Sequence, residues 1–158
     1  MKQLLAFILL WSNIMHSQTM LQNRITENIN LFCKGSWTNN GKEKQTVIAS
    51  FIGKDSLKII KNTYSVDSNN LVRTNTFTFK LSDLDLENTT IINSKRDPTK
   101  TLFGINLNCS YQLKKIKQEY NSKYGNYKKS YETKFYLGDF EDKVILEQIK
   151  KDFIQLIK

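Results

Sequence analysis

Residues 73–81 read Arg73-Thr74-Asn75-Thr76-Phe77-Thr78-Phe79-Lys80-Leu81, and from Thr76 on polar and apolar side chains alternate. A period of two marks a half-buried strand, because successive side chains leave an extended backbone on opposite faces. Phe77, Phe79 and Leu81 are thus expected in a core, with Thr74, Thr76, Thr78 and Lys80 toward water. Upstream, Val47, Ala49 and Phe51 alternate with Thr46, Ile48 and Ser50 as far as the break Gly53-Lys54-Asp55. Leu57 to Val66 resumes the pattern before the turn Asp67-Ser68-Asn69-Asn70. Downstream, Asp83 to Asn88 interrupts, Thr89-Thr90-Ile91-Ile92 continues, and Lys95-Arg96-Asp97-Pro98 punctuates again. Phe103, Ile105, Leu107 and Cys109 form the cleanest alternating segment. Leu113 to Tyr120 and Tyr131 to Leu137 follow on either side of Lys123-Tyr124-Gly125-Asn126, whose glycine and asparagine favour a hairpin turn. The count is about seven antiparallel strands.

Both ends change period. Leu21, Ile25, Ile29 and Phe32 recur at helical spacing, with Asn23, Glu27 and Asn30 outward and Gly35 as a stop before the turn Asn39-Asn40-Gly41. After Gly138, Ile145, Ile149, Phe153 and Leu156 or Ile157 give a second stripe, with Asp139 as the expected cap and Glu141 and Asp142 complementing the helix dipole.

Met1-Lys2 precedes the apolar run Leu4 to Trp11, and a polar stretch ends at His16-Ser17-Gln18. A basic start, a short apolar run and a small residue compose an export signal, with cleavage expected near residue 17 or 18. Ser12 and Asn13 interrupt the run well short of the ~20 apolar residues that a membrane span needs, so no transmembrane anchor is expected. Removing the segment takes one of the 24 basic residues, Lys2, and none of the 15 acidic ones, leaving +8 of the formal +9. Such a charge favours anionic partners and also solubility. Export places Cys33 and Cys109 where an oxidised pair persists; the alternatives are that disulfide and two buried free thiols.

Seven antiparallel strands closed by a terminal helix is the element order of a pleckstrin-homology-like barrel. The run Thr76-Phe77-Thr78-Phe79-Lys80-Leu81-Ser82-Asp83-Leu84-Asp85, the strand to Cys109, the lysine-tyrosine hairpin and the closing helix resemble small exported bacterial proteins of uncharacterised function. Their C-terminal part is pleckstrin-homology-like, and the resemblance covers about residues 44–158. The expected fold is therefore mainly β (α+β): an antiparallel pleckstrin-homology-like β-barrel or sandwich with a C-terminal α-helix and a short N-terminal helix. Its bounds are 1–17 for the signal, 18–34 for the N-terminal helix and 35–158 for the β domain. Gly35-Ser36-Trp37 also resembles the opening motif of lipocalins, which implies an alternative carrier of a small apolar ligand.

The only histidine, His16, lies in the expected signal, so an imidazole-based triad cannot be built in the mature chain. Two cysteines without histidine fall short of a zinc set. Asp83, Asp85 and Glu87 share one side of an extended segment and suit a hard cation weakly, lacking a ligand loop; the plainer reading is a wet strand end. No cofactor, metal or catalytic residue is expected. A carboxylate-based enzyme, or an inhibitor of a secreted enzyme, is a further alternative without a motif.

The densest feature runs from Tyr111 to Tyr136. Lys114, Lys115, Lys117, Tyr120, Lys128 and Lys129 are the candidate residues for an anionic surface component or protein partner, through charge and aromatic stacking. The plainer reading is a hairpin that uses lysines to block edge-to-edge pairing. Arginine is scarce, so sequence-specific reading of nucleic acid is not expected. The function expected is an exported, non-enzymatic binding or structural domain.

Overall fold

The computed structural model describes residues 2–33, 37–38, 41–94 and 100–158. Gly35 and Ser36, the Asn39-Asn40 half of the first turn, and Lys95 to Pro98 lie outside the described residues. Helix α1 spans Lys2–Phe32, and the strands are β1 Trp37–Thr38, β2 Glu43–Ile52, β3 Ser56–Ser65, β4 Leu71–Lys80, β5 Ile91–Ser94, β6 Leu102–Asn108, β7 Ile116–Ser122, β8 Tyr127–Glu132 and β9 Lys134–Phe140. Helix α2, Lys143–Ile157, closes the chain. No helix among the described residues is long and apolar enough to cross a membrane.

These strands form two antiparallel sheets, one of order β1-β2-β3-β4-β7-β8 and one of order β5-β6-β9. The molecule is a sandwich, which corrects the expected barrel: the sheets do not close on one another. The reason lies in the inner positions of the larger sheet. Cross-strand register puts Val47, Lys61, Asn75 and Tyr120 in one row, and Ala49, Ile59, Phe77 and Gln118 in the next. The apolar half, with Leu57, Phe79 and Ile116, is covered by the second sheet, where Phe135 of β9 stacks on Phe77 at 4.6 Å and on Phe79 at 5.6 Å between ring centroids. A closed barrel would bury the polar half as well, at a cost of about 1–3 kcal/mol for each unsatisfied group.

Two further corrections concern connectivity. The alternation from Tyr131 to Leu137 is not one strand: the chain changes sheets at Thr133, whose carbonyl accepts the Cys109 N–H at 2.7 Å. Asp139 does not cap the second helix. It is the extra residue of a bulge in β9, opposite the Phe103–Gly104 step, buried and at φ 71°. Asp142 caps α2 instead, its carboxylate accepting the Val144 N–H at 2.8 Å.

Helix α1 is continuous through the expected cleavage point, and its buried stripe is Leu21, Ile25, Ile29 and Cys33, whereas Phe32 is exposed. It shields the open edge of β2, where only Trp37 and Thr38 of β1 pair with Lys44 and Glu43 among the described residues. The Asn30 amide accepts the Ala49 N–H at 2.6 Å and donates to the Ala49 carbonyl at 3.2 Å. Gln22 donates to the carbonyls of Gly53 and Lys54. These contacts occupy main-chain groups that would otherwise template pairing with another strand. The α2 stripe is Leu146, Ile149, Phe153 and Leu156, one residue off the expected start at Ile145.

Gly104 and Gly138 face each other across β6 and β9, and the Tyr136 ring lies over both, so that a Cβ at either position would fall within the ring. Gly104→Ala should lower stability by about 2–3 kcal/mol through overpacking, read by chemical denaturation. Tyr136→Ala in the same chain should recover part of the loss. Equal stability of Gly104→Ala and the parent would show that the ring simply moves aside.

Candidate functional site

The lysine-rich ribbon is β7 and β8 joined by a turn whose Gly125 adopts φ 80°, with the Gly125 N–H bonded to the Ser122 carbonyl. Register decides how its side chains group. Lys117, Glu119 and Asn121 lie opposite Tyr131, Lys129 and Tyr127 on the outer face, while Gln118 and Tyr120 lie opposite Ser130 and Lys128 on the inner face. Of the candidate residues, Tyr120 and Lys128 are paired on the inner face, and Lys117 and Lys129 share the outer one. Lys114 and Lys115 sit in the loop before β7, and Lys115 stands 3.7 Å from the Asp83 carboxylate.

Much of the outer-face charge is already matched. Lys117 holds the Glu119 carboxylate at 2.8 Å, and Tyr127 donates to the same carboxylate at 2.8 Å. Glu119 is pulled below the usual carboxylate range by the Lys117 bond first and the Tyr127 bond second. Tyr127 is pushed up, chiefly because its phenol proton is held by Glu119. Lys129 rests over the Tyr131 ring at 5.7 Å, a cation–π contact that leaves its charge available.

The inner face is different. A surface depression of about 700 Å³ is lined by Gln118, Tyr120, Asn126, Lys128 and Ser130, with Lys129 reaching its rim from the outer face, and the Ser130 hydroxyl donates to the Glu132 carboxylate at 2.9 Å. It lies on the polar half of the larger sheet, beyond the reach of β9. Gln118 donates its amide N–H to the Asn75 side-chain oxygen at 3.2 Å. At the limit of the covered half, Lys61 donates to the Tyr136 carbonyl at 2.9 Å and lies 4.7 Å from the Phe135 ring centre. Arg73 is tied to Glu43 at 2.7 Å. The amide-rich lining is invisible in the sequence because Asn75 and Gln118, 43 residues apart, meet only through the β4–β7 pairing.

The remaining candidates do not assemble. Asp83, Asp85 and Glu87 diverge: Asp83 faces Lys115, Asp85 accepts from the Asn88 amide and Glu87 is exposed. Among the described residues no group of three His, Cys, Asp or Glu side chains converges on a metal-sized site. Cys33 and Cys109 are buried free thiols, so the structure takes the second of the two cysteine readings. Their geometry explains this. Cys33 bridges to Phe140 at one end of β9 and Cys109 binds Thr133 at the other, about 20 Å of extended chain apart. A disulfide needs Cα atoms within about 7 Å. Burial pushes the Cys33 thiol up to about 12, against partial relief from Lys61, so it is not an activated nucleophile.

No family model, curated protein or solved structure matches this chain.

Proposed function

We propose that this chain is an exported, non-catalytic binding domain that engages an anionic partner through the inner polar face of β7 and β8. The observation that carries the reading is the uncovered half of the larger sheet. It spends ordered backbone on a depression edged by Lys128 and, reaching in from the outer face, Lys129, with the Glu132 carboxylate tied up by the Ser130 hydroxyl at 2.9 Å. A positive patch of this kind steers and holds negative charge. Export is supported by the order of residues 1–17, a basic start, a short apolar run and a small residue. Mass spectrometry of protein from its host should find a mature start at Gln18 or Thr19; an intact Met1 would remove the export half of the proposal.

Lys128→Gln with Lys129→Gln should release the protein from immobilised heparin at lower salt, reducing the log–log salt slope by about 1 for each anionic group that is no longer neutralised. The substitutions are exposed and should cost less than about 0.5 kcal/mol of stability. Lys117→Gln with Glu119→Gln removes a matched pair and should elute with the parent. Elution of the Lys128 and Lys129 double variant with the parent would overturn the assignment of this face.

A further inference from the structure

Resting on that reading, we infer that the occupant of the depression is an acidic polysaccharide, a chain of sugars carrying carboxylate or sulfate groups. Charge alone would suit any polyanion, and the lining is more particular than charge. One aromatic ring, Tyr120, stands beside two carboxamides, Gln118 and Asn126, with Lys128 and Lys129 alongside and the Ser130 hydroxyl donated to Glu132. Carboxamides both donate and accept, which matches the paired donor and acceptor character of sugar hydroxyls. A tyrosine ring offers an apolar face to the C–H side of a pyranose while its oxygen stays polar.

Register holds this arrangement in place. Tyr120 lies between Asn75 on β4 and Lys128 on β8, and Gln118 lies between Phe77 and Ser130, so the ring, amides and cation occupy adjacent positions on a rigid sheet. The Gln118 amide is already oriented by Asn75. Preorganised polar groups of this kind lose little freedom on binding. A purely phosphate-binding surface would need no ring and no amide ladder. A platform for nucleic-acid bases would display several rings in series and free arginines. Among the described residues Tyr120 is the one ring lining this depression, and Arg73 is engaged by Glu43. The lysines supply the charge complementarity that selects an acidic over a neutral sugar chain.

The test measures binding of the protein to polygalacturonate, inorganic polyphosphate and dextran at low and moderate salt. Expected is retention on polygalacturonate above dextran, with Tyr120→Ala weakening polygalacturonate binding about tenfold or more, the scale of a lost stacking platform, and leaving polyphosphate binding unchanged. Gln118→Ala provides a second variant should Tyr120→Ala fail to fold, and it should reproduce the selective loss. Equal loss on both polyanions, or no loss on either, would make the site a charge surface only, overturning the polysaccharide while leaving the anionic-partner reading standing. Equal binding to dextran would overturn the acidic requirement. Failure to bind either polyanion at low salt would overturn both.

Discussion

Replacing Arg24 by Met should destabilise the protein by about 3–5 kcal/mol, the cost of leaving a buried carboxylate without its counter-ion. Arg24 reaches from α1 to Asp152 of α2 with two bonds, Nε to Oδ2 at 2.7 Å and Nη2 to Oδ1 at 2.6 Å. The pair is asymmetric: the Asp152 side chain is 1% exposed and that of Arg24 is 51% exposed. Among the described side chains only Gln148, donating at 2.7 Å, would remain to the carboxylate. Asp152→Leu should cost less than Arg24→Met, because the released guanidinium turns into water while the new side chain joins Ile149, Phe153 and Leu156 in an apolar site. Combining the two should restore most of the loss. Urea unfolding of the four proteins measures this. A cost under about 1 kcal/mol for Arg24→Met would mean that the pair behaves as a surface salt bridge.

The second large effect concerns alkaline pH. The Cys33 thiol is held neutral by burial, its pKa rising from 9.0 to about 12, with desolvation the largest cause and Lys61 opposing it. Between those values the unfolded chain gives up the proton and the folded chain keeps it. Stability from this group is complete below about pH 9 and is lost as pH climbs toward 12. The full window is worth about 4 kcal/mol at about 1.4 kcal/mol for each pH interval. Lysines and tyrosines also titrate there, so the measure is a difference: Cys33→Ala should show a shallower fall in stability than the parent between about pH 9 and about pH 11, inside that window. Parallel curves would show that Cys33 ionises without unfolding.

The helices and the first three long strands are legible from periodicity, since Leu21, Ile25 and Ile29 or Phe77 and Phe79 report a buried side whatever lies across from it. What periodicity does not report is the partner. The alternation of Tyr131, Thr133 and Phe135 runs unbroken across a point where the backbone leaves one sheet for the other, because no glycine or proline marks it. The same limit divides the lysine cluster. Lys128 and Lys129 are neighbours in sequence, and only register shows that they stand on opposite faces, one across from Tyr120 and the other across from Glu119. Barrel closure is suggested wrongly for a related reason: Lys61, Asn75 and Gln118 each look like an isolated polar residue in an apolar strand until register lines them up. Asp139 is the natural local choice for a helix cap, and a bulge one residue long moves the cap to Asp142.

The bond between Arg24 and Asp152 also fixes where the molecule can be held. Gln22 sits against the β2–β3 turn, and His16 and Ser17 share a groove with Gln155. The expected mature start and the end of α2 therefore emerge side by side, at the opposite end of the strands from the β7–β8 turn. A tag or fusion partner at either point, or a surface to which one is tethered, projects away from the inner face of that hairpin.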